Sequence, residues 1–179
     1  MTTRNHLLLV ISVLALATLA CAMPGSGPQE PTGPVQITGT IPPIDITGGI
    51  DGIDVCAAIP KQVIESARGI PLVSSQPFGY YDTLGSVGCQ YDFGKSADKE
   101  AFFGYVALTP ASAYGEQPLY LNKDVSGIGD AAFFNNGADA RQLWVKLGDK
   151  AALVVAFGDV PQEERVLALA KLVVAAIQR

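Results

Sequence analysis

The chain has 179 residues with 12 basic and 17 acidic side chains, which give a formal net charge of −5. Its Lys and Arg residues are scattered, so it lacks the basic patch typical of nucleic-acid binding, and we expect no nucleic-acid partner. Its only histidine, His6, lies near the N-terminus, and its cysteines are Cys21, Cys56 and Cys89. Catalysis or metal binding by histidine or by free cysteine side chains is therefore largely excluded.

Residues 1–20 have the composition of an export signal. Arg4 supplies a positive start, and an apolar stretch over residues 7–16 follows, too short to span a bilayer. Cys21 comes directly after small and apolar residues, where a bacterial lipoprotein signal is cut and the new N-terminal cysteine is acylated. We expect a lipid anchor at Cys21, since two or more acyl chains suffice for stable attachment. The alternative is a plain secretory signal cut near Ala20 or Ala22.

Removal of residues 1–20 takes away Arg4 and His6 but no acidic residue, which leaves 11 basic and 17 acidic residues and a net charge of −6. Residues 21–54 follow as the lipidated cysteine and a spacer. Positions 22–54 hold six of the 12 prolines and seven of the 19 glycines, without any Lys, Arg or aromatic residue. This composition predicts a disordered tether. A second possibility is an edge strand within residues 35–46, which contain several β-branched side chains.

Residues 55–179 are predicted to form one domain. Residues 60–68 have the pattern of a short helix that Gly69 ends. Residues 88–93 alternate, with Cys89, Tyr91 and Phe93 on one side, as in a half-buried strand. Cys56 and Cys89 are an even pair in an exported chain, and we expect them to form a structural disulfide.

The following residues predict further strands over 102–109, 131–135, 141–147 and 151–157, joined by turns at 136–137 and 148–149. In the strand over 141–147, the alternation places Leu143 inward and Trp144 outward. A long irregular link over residues 110–126 separates the first strands from the later ones.

The last element is the clearest predicted helix. Asp159 is placed to cap it, Pro161 suits its first turn, and Glu163 and Glu164 lie near its positive end. Apolar residues then recur at helical spacing at 166, 169, 170, 173 and 177. The fold class expected is α+β, an antiparallel sheet with a short N-terminal helix and a long C-terminal helix packed on one face.

Two motifs of catalytic appearance are better explained as loops. Residues 96–99 read Ser-x-x-Lys but lack the companion motifs of penicillin-binding enzymes. Residues 127–132 read G-x-G-x-x-A but lead into a strand, whereas a dinucleotide site needs a helix there. We expect neither a cofactor nor a metal, since no calcium-loop spacing occurs either.

Carboxylates and aromatic residues remain as candidates for a site. Asp124 and Asp130 share one loop, and a pair of carboxylates is what a glycosidase uses. Exposed aromatic residues grouped on one surface would instead bind a ligand or partner. That aromatic set comprises Trp144, Tyr80, Tyr81, Tyr114 and Tyr120. The alternative is that these rings close the edge of the core or pack under the 110–126 link.

Three segments resemble a family of uncharacterised extracellular lipoproteins of Gram-positive bacteria, especially actinobacteria. They are residues 54–60 (DVCAAIP), 88–91 (GCQY) and 127–132 (GIGDAA), in this order and spacing. The final strand and helix extend the resemblance over the whole predicted domain. Such families usually place Trp where this chain has Tyr91. The resemblance implies a lipid anchor, one disulfide and an α+β domain, and it implies no activity. Related sensor domains suggest ligand sensing.

The sequence thus predicts a lipid-anchored, non-enzymatic binding, sensor or accessory domain on the outer face of the bacterial cytoplasmic membrane. Its partners are expected to be the membrane, through Cys21, and a cell-wall component, a small molecule or a protein. The alternative function is a carboxylate-dependent hydrolase that acts on cell-wall glycans. A structural spacer or shield without a pocket is a third hypothesis.

Overall fold

A computed structural model describes residues 35–78, 85–95, 101–115, 122–136, 140–157 and 163–178. The described residues from Val35 onward form one compact unit. None of the helices in these ranges is long and apolar enough to cross a membrane. Several predictions concern residues outside these ranges, namely those for residues 1–34 (including Cys21), for Tyr80, Tyr81 and Tyr120, for the motif at 96–99, and for Asp159 and Pro161.

The described helices are α1 (Val55–Ala58), α2 (Lys61–Arg68), α3 (Ala111–Gly115) and α4 (Glu163–Ala176). The described strands are β1 (Ile44–Asp45), β2 (Ser74–Pro77), β3 (Val87–Lys95), β4 (Ala101–Pro110), β5 (Asn122–Val125), β6 (Ala131–Asn136), β7 (Ala140–Leu147), β8 (Lys150–Phe157) and β9 (Ile177–Gln178).

Seven of the strands form one antiparallel sheet in the order β2-β3-β4-β8-β7-β6-β5. The chain builds one meander from β2 to β4, and a second meander from β5 to β8 returns to pair with β4. Gly148, with φ +65°, makes the tight turn between β7 and β8, where Leu147 and Lys150 are paired. The α+β class and the antiparallel sheet are confirmed.

The helices α1, α2 and α4 cover one face of this sheet. In α4, Val166, Leu169, Ala170 and Val173 are buried, as the predicted helical stripe requires. The fifth residue of that stripe, Ile177, is buried too but lies in strand β9, because the helix ends at Ala176. They pack with the strand residues that alternate toward the same side, among them Leu143 and Val145. Neither α1 nor the exposed edge strand β2 was predicted. The carboxylate of Asp54 caps α1 by accepting a hydrogen bond from Ala57 N at 3.0 Å.

The opposite face of the sheet is also covered. Trp144 packs there with Tyr105, Phe133 and Leu153, and Ala113 of helix α3 belongs to the same cluster. The alternation of β7 is as predicted, with Trp144 on the side opposite to Leu143, but the prediction that Trp144 faces solvent is wrong. Its exposed fraction is 0% because both faces of the sheet are buried.

The segment 35–54 lies partly in the core, so the expected domain boundary at residue 55 is too late. Ile44, Ile46 and Ile50 are buried, and β1 pairs in parallel with β9 after the last helix. The carboxylate of Asp45 accepts hydrogen bonds from the backbone N and hydroxyl of Thr47, which fixes the turn that follows β1. The isoleucines supply the apolar surface that offsets the ordering of a Pro- and Gly-rich chain.

Candidate functional site

The predicted disulfide is present. Cys56 in α1 and Cys89 in β3 are bonded across a sequence separation of 33, with their Cα atoms 4.9 Å apart. Cys89 is completely buried. The bond therefore ties the first helix to the sheet and has a structural role.

In the described part of the chain, the aromatic residues predicted to form a binding surface do not form an exposed group. Trp144 is buried, and the half-buried ring of Tyr114 lies 4.9 Å from the Phe133 ring in an edge-to-face arrangement. Burial raises the pKa of Tyr114, and the charge of Asp124 raises it further. Trp144 and Tyr114 thus close the second face of the core, as the alternative interpretation expected.

The two candidate carboxylates have separate surroundings. Asp124 is exposed on the edge strand β5, while Asp130 lies in the loop before β6 and accepts a hydrogen bond from Gly148 N at 2.5 Å. That bond joins the loop to the turn between β7 and β8. Asp130 therefore has a structural role in this part of the sheet.

A different feature has the form of a binding site: a cleft between α2 and α4, floored by β3, β4 and β8. It encloses about 380 Å³, counting the part that is open to solvent. Its walls include Ile64 and Ala67 of α2, Val166 and Leu169 of α4, and Tyr91 and Phe93 of β3.

The cleft exists because its floor has small side chains. Gly104 of β4 pairs with Ala156 of β8, and both line the cleft. A Cβ atom added at Gly104 would lie 2.7 Å from the carbonyl oxygen of Val155, so only glycine fits this backbone without a shift. Gly104 and Ala156 have the smallest side chains among the strand residues that floor the cleft.

Two arginines meet at one end of the cleft. Arg68, the last residue of α2, donates from Nη2 to the carbonyl oxygen of Phe157 at 3.1 Å, and its guanidinium lies 5.4 Å from the ring centroid of Phe93. Arg165 of α4 donates from Nη1 to the carbonyl oxygen of Ala67 at 3.3 Å. Burial lowers the pKa of Arg68, and the neighbouring charge of Arg165 lowers it further.

A buried polar atom belongs to the wall of the same cleft. Tyr91 is 3% exposed, and its hydroxyl has no hydrogen-bond partner within the described ranges. Burial raises the pKa of Tyr91, and the charge of Asp54 raises it further, so the hydroxyl stays protonated. A buried hydroxyl without a hydrogen-bond partner is costly.

Sequence reasoning missed this cleft because it depends on how two distant helices pack. The available signals were weak: Gly104 inside an otherwise apolar strand, and Arg165 among the apolar residues of α4. Within the described ranges, no group of three or more His, Cys, Asp or Glu side chains is placed to hold a metal ion. Comparison of the chain with protein-family models, curated proteins and solved structures found no match.

Proposed function

We propose that this protein is a non-enzymatic ligand-binding lipoprotein, and that the cleft between α2 and α4 binds a small, largely apolar molecule. The observation that carries the proposal is a cleft whose lining is mainly apolar and also includes Tyr91, Arg68 and Arg165, a composition typical of ligand sites. The lipid anchor at Cys21 would hold this domain at the outer face of the cytoplasmic membrane. The sequence of residues 1–21 supports that part of the proposal.

The proposed site is tested with a neutral fluorescent probe, N-phenyl-1-naphthylamine, whose emission rises in apolar surroundings. Ala156→Leu fills the floor of the cleft, and we expect it to weaken probe binding at least tenfold. Ala175→Leu is the matched control because Ala175 is exposed on α4 and outside the cleft. Thermal melting of each variant establishes that it is folded. Equal binding by wild type and a folded Ala156→Leu variant would refute the site.

The anchor is tested separately in a bacterial host. Cys21→Ser is expected to release the protein from the membrane fraction, since one residue carries the acyl chains. Retention of the Cys21→Ser protein in the membrane fraction would contradict the anchor, while the binding test above is unaffected by this outcome.

The alternative hydrolase remains a weaker proposal. It needs Asp124 and Asp130 to flank a glycosidic bond, and the hydrogen bond from Gly148 N occupies one oxygen of Asp130. Turnover of cell-wall glycan that disappears in both Asp124→Asn and Asp130→Asn would favour the hydrolase over the binding domain.

A further inference from the structure

One short loop, residues 70–73 between α2 and β2, exposes apolar side chains to water. Ile70 is 37% exposed and Val73 is 67% exposed, and no other large apolar side chain in the described part of the chain is as exposed. Pro71 between them is exposed too. Single exposed apolar residues are ordinary on a protein surface, whereas grouped ones are typical of contact surfaces. Residues 70–73 are called the apolar loop below.

The backbone of the apolar loop is held in place from both sides. Leu72 N donates a hydrogen bond to Glu65 Oε1 in α2 at 2.8 Å. Val73 N donates to the backbone oxygen of Asp92 in β3 at 2.9 Å. The side chain of Leu72 is buried in the core. Because these contacts already order the loop, a partner that covers its exposed side chains does not have to order the backbone as well.

The N-terminal segment of the fold leads to this loop. Gly39 lies beside Val63, since a Cβ atom added at Gly39 would be 2.9 Å from Val63 Cγ2. Thr38 N donates to Ser66 Oγ, one turn further along α2, at 2.8 Å. The segment therefore runs antiparallel to α2, and its earlier residues, back to Val35, are directed toward the C-terminal end of that helix. The apolar loop begins at the same end.

The chain between the expected anchor and the fold is short, because residues 35–54 belong to the folded unit. Val35 comes 14 residues after Cys21. A flexible chain of 14 residues spans about 20 Å root-mean-square, against about 32 Å for a tether that reached residue 55. A lipid anchor at Cys21 would therefore keep the entry point of the chain, and the apolar loop beside it, close to the bilayer.

We infer that the apolar loop contacts the lipid bilayer, with the side chains of Ile70 and Val73 in the interfacial layer. This inference rests on the proposed anchor at Cys21 and adds a second contact between the domain and the membrane. Without residues 1–20 the chain has 11 basic and 17 acidic residues, so its net charge does not attract it to a bilayer. The apolar side chains supply the contact, and the tether raises their local concentration at the surface.

The inference is tested with the mature, lipidated protein in phosphatidylcholine vesicles. Ser75→Cys places a nitrobenzoxadiazole fluorophore on the exposed strand β2, next to the apolar loop. The added thiol is labelled selectively, because Cys21 is acylated and Cys56 is bonded to Cys89. Lipids that carry a doxyl spin label near the head group then quench fluorophores that reach the bilayer.

A label at the opposite edge of the sheet is the matched control. Ser126 is exposed and directly follows β5, which lies six strand spacings from β2, or about 29 Å. We expect quenching of the label at Ser75→Cys to be at least threefold stronger than that at Ser126→Cys. Equal quenching at the two positions would overturn the inference, since it would mean that neither edge of the sheet is directed to the membrane.

Substitutions in the loop separate contact by its side chains from mere proximity through the tether. The double change Ile70→Ser/Val73→Ser is expected to lower quenching of the label at position 75 to the level of the control label. Ala175→Ser, which removes an exposed apolar side chain from α4, should leave the quenching unchanged. Unchanged quenching in a folded double variant would overturn the inference. A dimer in detergent that the double variant breaks would assign the loop to a second copy of the chain and would overturn the lipid assignment.

Flotation of the vesicles distinguishes this inference from the proposed function. If the protein floats with the vesicles but the label at position 75 is not quenched, the anchor holds and the loop contact is wrong. If the protein does not float, the anchor and the loop contact both fail. The proposed ligand site is independent of either result, because Ala156→Leu tests it in the absence of a membrane.

Discussion

Reduction of the Cys56–Cys89 bond is expected to lower the free energy of unfolding by about 4 kcal/mol. The bond closes a loop over a sequence separation of 33. In the chain-entropy model this loss of freedom in the unfolded chain corresponds to about 12 cal/mol/K, which is nearly 4 kcal/mol at 25 °C. Since native domains are stable by only about 5–15 kcal/mol, the bond accounts for a large share of the stability.

Urea denaturation of oxidised and reduced wild-type protein measures this difference without a change of sequence. Trp144 is completely buried, so its fluorescence reports loss of the core. The double variant Cys56→Ala/Cys89→Ala is the control, because a reducing agent must leave its unfolding curve unchanged. A difference below 1 kcal/mol between oxidised and reduced wild type would refute the reasoning, since it would mean that the bond barely restricts the unfolded chain.

Three further changes test other parts of the structure. Tyr91→Phe removes a buried hydroxyl without a partner in the described ranges and is expected to raise stability by about 1 kcal/mol in urea; destabilisation would contradict its lack of a partner. Ile46→Ala is expected to lower the free energy of unfolding by about 2–4 kcal/mol. An unchanged urea midpoint would mean that residues 35–54 are not part of the core. Asp45→Asn removes a carboxylate whose pKa is lowered by hydrogen bonds from Thr47. Its folded pKa lies below the unfolded value, so the stability gap to wild type should be present at pH 7 and shrink as the pH falls through about 4. A gap that is constant with pH would contradict this.

Strands β3, β4, β6, β7 and β8 and the last helix were predictable because each has its own local pattern. The alternation of β7 correctly assigns Leu143 and Trp144 to opposite sides of the sheet. It does not reveal that the side of Trp144 is covered too, since that depends on α3 and on apolar residues of β4, β6 and β8. Gln142 lies on the same face of β7 as Trp144, and its polar side chain led to the prediction that this face is exposed.

Segment 35–54 illustrates a second limit of sequence reasoning. Its prolines and glycines indicate a tether, but Ile44, Ile46 and Ile50 pack into the core, and β1 finds a partner in β9 at the far end of the chain. A contact between segments so distant in sequence leaves no local signal. The cleft is missed for the same reason, since Arg68 and Arg165 come together only when α2 and α4 pack.

Amide chemical shifts of ¹⁵N-labelled protein during titration with N-phenyl-1-naphthylamine test the binding cleft most directly. We expect the largest shift changes at Gly104, Ala156 and Leu169, which line the cleft, and small changes at Trp144 and Phe133 on the opposite face of the sheet. Changes centred on Trp144 and Phe133, or no changes at saturating ligand, would contradict a binding site between α2 and α4.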